Sequence, residues 1–185
     1  MRSASASLLC VLVAALLIGG CSAEPASTRV RFHPDYRLSR DGALGYRLPA
    51  GWFDVTADSQ ATGRAIWLVR NDYGASITVE EVYLMDRAKG ELGDDPLLHL
   101  AELTLPLVAG ERWATVLRPP ERFTLSGREY CAYELVTGER PEHLRVVLFE
   151  AGRRIYAVTF YGDGTAAARA GISAVQEPFL RGLRW

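Results

Sequence analysis

The sequence predicts an α+β domain: a mostly antiparallel β-sheet flanked by helices on both faces, an α/β/α layering. Three observations lead there. Leu144–Phe149 and Ile155–Tyr161 are neighbouring extended stretches with apolar residues on both alternating faces, the mark of strands covered on two sides. Two segments, 95–108 and 166–181, carry apolar residues at helical spacing and supply the covers. The remaining β-prone runs are short and end in Gly, Pro, Asn or Asp turns.

Residues 1–20 stand apart. Arg2 is a positive n-region, and Leu8–Ile18 is an apolar run of eleven residues. A bilayer-spanning helix needs about 20, so the run reads as a signal peptide. It ends in Ile18-Gly19-Gly20-Cys21, which resembles the lipobox of bacterial lipoproteins. That resemblance implies diacylglycerol on the Cys21 thiol, cleavage before it, and a further acyl chain such as palmitate on the freed amine. Two chains anchor stably where one binds reversibly. Ser22, where an aspartate would favour the inner membrane, implies the periplasmic face of the outer membrane. Residues 21–42 read as the lipidated cysteine and a polar tether, within which Val30-Arg31-Phe32 can pair as a short edge strand. Residues 43–185 read as one globular domain.

Within that domain Leu44, Tyr46 and Leu48 alternate into a turn at Pro49-Ala50-Gly51-Trp52. Ala65–Val69 and Ser76–Tyr83 are strands joined by the hairpin turn Asn71-Asp72-Tyr73-Gly74. Asp94-Asp95-Pro96 opens the first helix, with acids at the positive end of the dipole and Pro in the first turn. Leu97, Leu100, Ala101, Thr104 and Val108 keep its spacing, and Pro106 predicts a kink or an end near Thr104. Trp113–Leu117 and Phe123–Leu125 are extended, and Ser126-Gly127 turns into the strand Arg128–Val136. The last helix places Ala168, Ile172, Val175 and Phe179 on one stripe, with Thr165 as its N-cap.

Removing residues 1–20 leaves 165, enough for one substantial core. The remaining 20 basic and 22 acidic residues are interspersed, so there is no electrostatic footprint for nucleic acid. With Cys10 in the signal and Cys21 lipidated, Cys131 has no partner, which predicts a buried thiol and a fold stable without a disulfide.

The chain offers little chemistry. His33, His99 and His143 are not within metal-ligand spacing of one another or of a cysteine, so no metal site and no cofactor is expected. Pairing Val136 with His143 puts Cys131 opposite Leu148, about 16 Å along the ladder from the histidine at about 3.3 Å per residue. Proton transfer needs about 3 Å, so no Cys131–His143 dyad forms. Gly162-Asp163-Gly164-Thr165 lacks the lysine and spacing of a phosphate loop, and Glu80 and Glu81 point to opposite faces of their strand. No catalytic residue is expected. Among the aromatics Trp67 reads as core. Trp52 and Phe53 after the 49–51 turn, and Trp113 before its strand, are the candidates for a ligand- or partner-binding groove.

One resemblance covers the order of elements over 43–185. It rests on Tyr46-Arg47-Leu48-Pro49-Ala50-Gly51-Trp52, the mid-chain helix, and Gly127-Arg128-Glu129-Tyr130-Cys131-Ala132-Tyr133-Glu134-Leu135. The closing strand Ile155–Tyr161 and the terminal Phe179-Leu180-Arg181-Gly182-Leu183-Arg184-Trp185 complete it. Together these resemble the PsbP-like family, which includes a photosystem II extrinsic subunit, a Ran-binding import factor and bacterial lipoproteins. The resemblance implies an antiparallel sheet flanked by helices, and proteins that act by binding rather than by a shared reaction. The expected function is a membrane-anchored, non-catalytic binding or scaffold module of the cell envelope with an envelope protein as partner. A carrier of a small apolar or envelope-derived ligand in a sheet–helix cleft is the alternative, and an envelope enzyme a third.

Overall fold

The computed structural model describes residues 30–84, 92–138 and 141–185. Among them the strands are β1 (Phe32–Leu38), β2 (Gly45–Pro49), β3 (Trp52–Asp54), β4 (Arg64–Arg70), β5 (Ala75–Val82), β6 (Ala114–Leu125), β7 (Arg128–Thr137), β8 (His143–Ala151) and β9 (Arg154–Gly162). The helices are α1 (Pro96–Arg112) and α2 (Ala166–Gly182). Seven strands form one antiparallel sheet in the order β3-β4-β5-β9-β8-β7-β6, and β1 pairs with β2 in a separate two-stranded layer.

Local chemistry explains the hairpins. Between β6 and β7, Ser126 and Gly127 both take positive φ, 55° and 76°, the conformation a tight two-residue hairpin requires. Between β7 and β8 the register sets Val136 opposite His143 and Cys131 opposite Leu148, as the alternation predicts.

The sheet separates two apolar clusters. On one face Ile66, Leu68, Ile77, Val79, Val147, Phe149, Tyr156, Val158 and Phe160 pack against Ile172, Val175 and Phe179 of α2 and Tyr46 and Leu48 of β2. On the other, Cys131, Tyr133, Leu135, Leu144, Val146 and Leu148 pack against Leu97, Leu100 and Ala101 of α1. Two helices on opposite faces match the expected layering, and the expected stripe of α2 is buried. Both caps are as predicted: Asp95 Oδ1 accepts from the Leu98 amide at 3.2 Å, and Thr165 Oγ1 from the Ala168 amide at 3.1 Å.

Three local expectations are corrected. Pro106 does not end α1, which continues to Arg112 and closes on Trp113 in the left-handed region at φ 49°. Packing of Leu105, Val108 and Ala109 onto the sheet side outweighs the one amide that proline removes. The extended stretches at 113–117 and 123–125 are a single strand, β6, whose Pro119-Pro120 is accommodated because β6 is a sheet edge and breaks register beside it. Residues 33–38, read as tether, instead form most of β1, paired with β2 through Tyr36–Arg47 and Leu38–Gly45.

Leu148 is buried between Cys131 and Ala157 in the ladder. Leu148→Ala is expected to cost about 2–5 kcal/mol in urea unfolding; a loss under about 1 kcal/mol would contradict its place under α1.

Candidate functional site

Helix α1 packs mainly over β6, β7 and β8. Beyond it the same face of β9, β5 and β4 is half-buried among the described residues and lines a cleft of about 620 Å³ between helix and sheet. Alternation decides what lines it. In β5 Ala75, Ile77 and Val79 turn into the core, so Ser76, Thr78 and Glu80 face the cleft. In β9 Tyr156, Val158 and Phe160 are buried, and Ala157, Thr159 and Tyr161 form the floor, all half-exposed. Thr104 and Val108 of α1 make the wall, and Tyr133 Oη donates to Thr104 Oγ1 at 3.3 Å where wall meets floor.

Trp67 was expected in the core, but it is half-buried on this open face. The strands explain this: Ile66 and Leu68 take the inward positions, so alternation turns Trp67 outward opposite Thr78, and the register break at Arg64/Ile66 brings Arg64 to the same side. The Arg64 guanidinium stacks over its ring, 4.3 Å from the centroid, and reaches Glu80 Oε1 at 3.3 Å. The cleft thus has an apolar and aromatic floor, a hydroxyl stripe from Ser76, Thr78 and Thr159, and a charged rim.

The titratable groups elsewhere are structural. Cys131 is fully buried beneath α1, and burial first, then Asp95, pushes its thiol up to about 11. His143 lies on the opposite face of the sheet, since it shares parity with Val147 and not with Leu148. Its Nε2 is 3.7 Å from Glu134 Oε2, and Arg118 and Arg145 flank the same carboxylate at 3.5 and 3.7 Å. The described residues contain no group of three or more His, Cys, Asp or Glu placed to hold a metal ion.

Two carboxylates fasten the β1–β2 layer to the large sheet. Asp54 accepts from Tyr46 Oη at 2.7 Å, Arg37 Nη1 at 2.8 Å and the Thr56 amide at 3.1 Å. Asp41 accepts from Tyr156 Oη at 2.8 Å, Arg154 Nη1 at 3.0 Å and the Ser39 hydroxyl. Burial opposes ionisation at both sites, yet the donors together hold both carboxyls below their ordinary range. The same pairing, with burial, raises Tyr156 to about 12.

The aromatic candidates from the sequence are not brought together. Trp52 is 7% exposed and belongs to the core, so it presents no surface to a partner. Phe53 is 50% exposed on edge strand β3, and Trp113 is 89% exposed beside β6 at the opposite edge. Six inter-strand steps of about 4.8 Å put those edges about 29 Å apart. The cleft residues Trp67, Ser76, Thr78 and Thr159 escaped the sequence reading. Their signal was the Ala-Ser-Ile-Thr-Val-Glu alternation of β5, a strand with one apolar and one polar face.

This architecture is a PsbP-like α+β fold. Among solved structures the chain is similar to cyanobacterial PsbP (CyanoP) from Synechocystis sp. PCC 6803, at a TM-score of 0.56 and 12% identity over 91% of this chain and 98% of that one. It is similar also to the Saccharomyces cerevisiae Ran-binding protein Mog1p, at a TM-score of 0.55 and 12% identity over 84% and 95% of the two chains. At such identity the likeness is one of fold. No protein-family model and no curated protein matches the sequence.

The two carboxylates set an acid response. A depressed folded-state pKa contributes stability above the unfolded value, about 3.9, and loses it as pH falls through the folded value. The urea midpoint of the native chain is expected to fall between about pH 5 and pH 2, and that of D41N/D54N to fall less over the same window. Equal falls in both would place the acid-sensitive contacts elsewhere.

Proposed function

We propose that the protein is a non-catalytic binding module of the bacterial cell envelope, anchored through lipidated Cys21, that takes an extended segment of an envelope protein along the α1–sheet cleft. The observation that carries this reading is the half-buried second face of β9: Ala157 and Tyr161 reach out from the edge of the α1 cluster and, with Trp67, floor the cleft. An exposed apolar surface rimmed by polar groups is the signature of an interaction site. Alongside it, Ser76, Thr78 and Thr159 provide hydroxyls suited to backbone or amide groups of a bound segment. The cleft is open along the sheet, which favours a partner segment over an enclosed carrier ligand. That Mog1p, a protein of similar fold, is described as Ran-binding agrees with a binding role. No described helix is long and apolar enough to cross a membrane; the anchor rests on the Ile18-Gly19-Gly20-Cys21 sequence.

Capture of a partner from detergent-solubilised envelope membranes tests the cleft. Trp67→Ala is expected to weaken capture by about 1–3 kcal/mol with the melting temperature little changed, and Phe53→Ala and Trp113→Ala to leave capture intact. The reverse pattern would move the site to the sheet edges, and retention of a small lipid-like molecule in the purified cleft would favour the carrier reading. Cys21→Ser should abolish acyl labelling and release the protein from the membrane fraction; persistence there at high salt would remove the lipoprotein assignment.

A further inference from the structure

The layer on the far side of the sheet from the cleft has an arginine–aromatic outer face. In β2, Tyr46 and Leu48 turn into the core, so Arg47 between them points away from the sheet. Its register partner Tyr36 stands on the same side. The Arg47 guanidinium lies 5.4 Å from the Tyr36 ring centroid and 5.8 Å from that of Phe32. Arg184 is drawn alongside by its bridge to Gly45 and stacks on the other reach of Tyr36 at 3.7 Å. Next to it Arg128 lies over Trp185 at 3.8 Å, with Trp185 42% exposed.

These cations are not spent on carboxylates. Among the described residues Arg31, Arg47, Arg128 and Arg184 form no ion pair, whereas Arg37 on the same layer is neutralised by Asp54. Asp35 is the acid exposed on β1. Arg128 also donates to the Leu183 carbonyl at 2.8 Å and Arg47 Nε is buried, while Arg184 is exposed. Stacking on a ring pre-organises a guanidinium and leaves its outward N–H donors for planar, bidentate contact with phosphate. Tyrosine and tryptophan beside such cations are the side chains that sit at the headgroup level of a bilayer.

The chain enters this face from the anchor side. Nine residue steps separate Cys21 from Val30, a reach of at most about 32 Å fully extended and about 17 Å root-mean-square if flexible. Such a tether keeps β1 near the bilayer. We infer that the face built from Tyr36, Arg47, Arg184 and Trp185 lies against an anionic phospholipid surface, leaving the cleft on the opposite side of the sheet turned away from the membrane. The geometry rests on the Cys21 anchor of the proposed function, while the surface chemistry stands without it.

A chain starting at Cys21 retains every described element and both apolar clusters. Coupled through the Cys21 thiol to maleimide-bearing lipid in vesicles, it is held at tether length whether or not a cell acylates that residue. The buried Cys131 thiol does not compete. Hydrogen–deuterium exchange is then compared on phosphatidylglycerol-rich and pure phosphatidylcholine vesicles. Amides of β1 and of residues 183–185 should exchange about threefold or more slowly on the anionic vesicles, and the difference should vanish at 1 M salt, where the Debye length is about 3 Å. R47Q/R184Q should lose the difference while β7–β9 keep wild-type exchange. Equal exchange on both lipids, or new protection around Trp113–Leu117 instead, would overturn the inference. Protection on vesicles together with no acyl labelling in cells would remove the anchor and leave the surface standing.

Discussion

β7 and β8 have no wet face. Along Tyr130–Tyr133 and Val146–Phe149 consecutive side chains are buried on alternate sides, and each large apolar residue contributes about 1.5–3 kcal/mol only if its side is covered. Both faces of the sheet must therefore carry a lid. An α-helix is about 10–12 Å across and strands lie about 4.8 Å apart, so one helix covers two or three strands. On one face α2, the β1–β2 hairpin and the chain end at Leu183 pack over the central strands in one continuous cluster. On the other face α1, with Leu84 and Leu92 before it, packs mainly over β6, β7 and β8. The cleft lies where that cover thins, beside the one described helix on that side.

The same constraint explains which parts of the fold were legible in the sequence. Two-sided strands, helical stripes and caps are local patterns, and β7–β9, α2, Asp95 and Thr165 stood where those patterns put them. What escaped depends on partners distant in the chain. β1 is polar and exposed along most of its length, and it is a strand because β2 is there to pair with it. Pro106 reads locally as a stop, and the sheet beneath α1 overrides it. Pro119-Pro120 reads as a break, and the edge position of β6 absorbs it.

The candidate site shows the limit more sharply. A tryptophan in a strand is a good wager for the core, yet Trp67 alternates with inward Ile66 and Leu68 and stands opposite Thr78, on the cleft side of the sheet. Trp52 and Phe53 looked equivalent beside a turn, but they are neighbours on a strand, and strand parity buries the first and exposes the second. The lining of the cleft was instead written in the modest residues of β5: small hydroxyls alternating with Ala, Ile and Val. Whether that wet face meets solvent or a cover is a property of helix length and placement, which alternation does not encode.

The sheet also acts as a partition. Strand parity sends Phe160 and Tyr156 towards the layer of β1, β2 and α2, and Tyr161 and Ala157 towards the cleft. The carboxylates Asp41 and Asp54 bolt that layer onto the sheet through Tyr156, Arg154, Tyr46 and Arg37. Displacing the β1–β2 layer therefore disturbs contacts made by β9 and β3. On the proposed reading this matters for an anchored protein. A binding cleft whose floor is the reverse side of the strands that hold the membrane-facing layer keeps a fixed orientation to the bilayer, with no second linker to average it away.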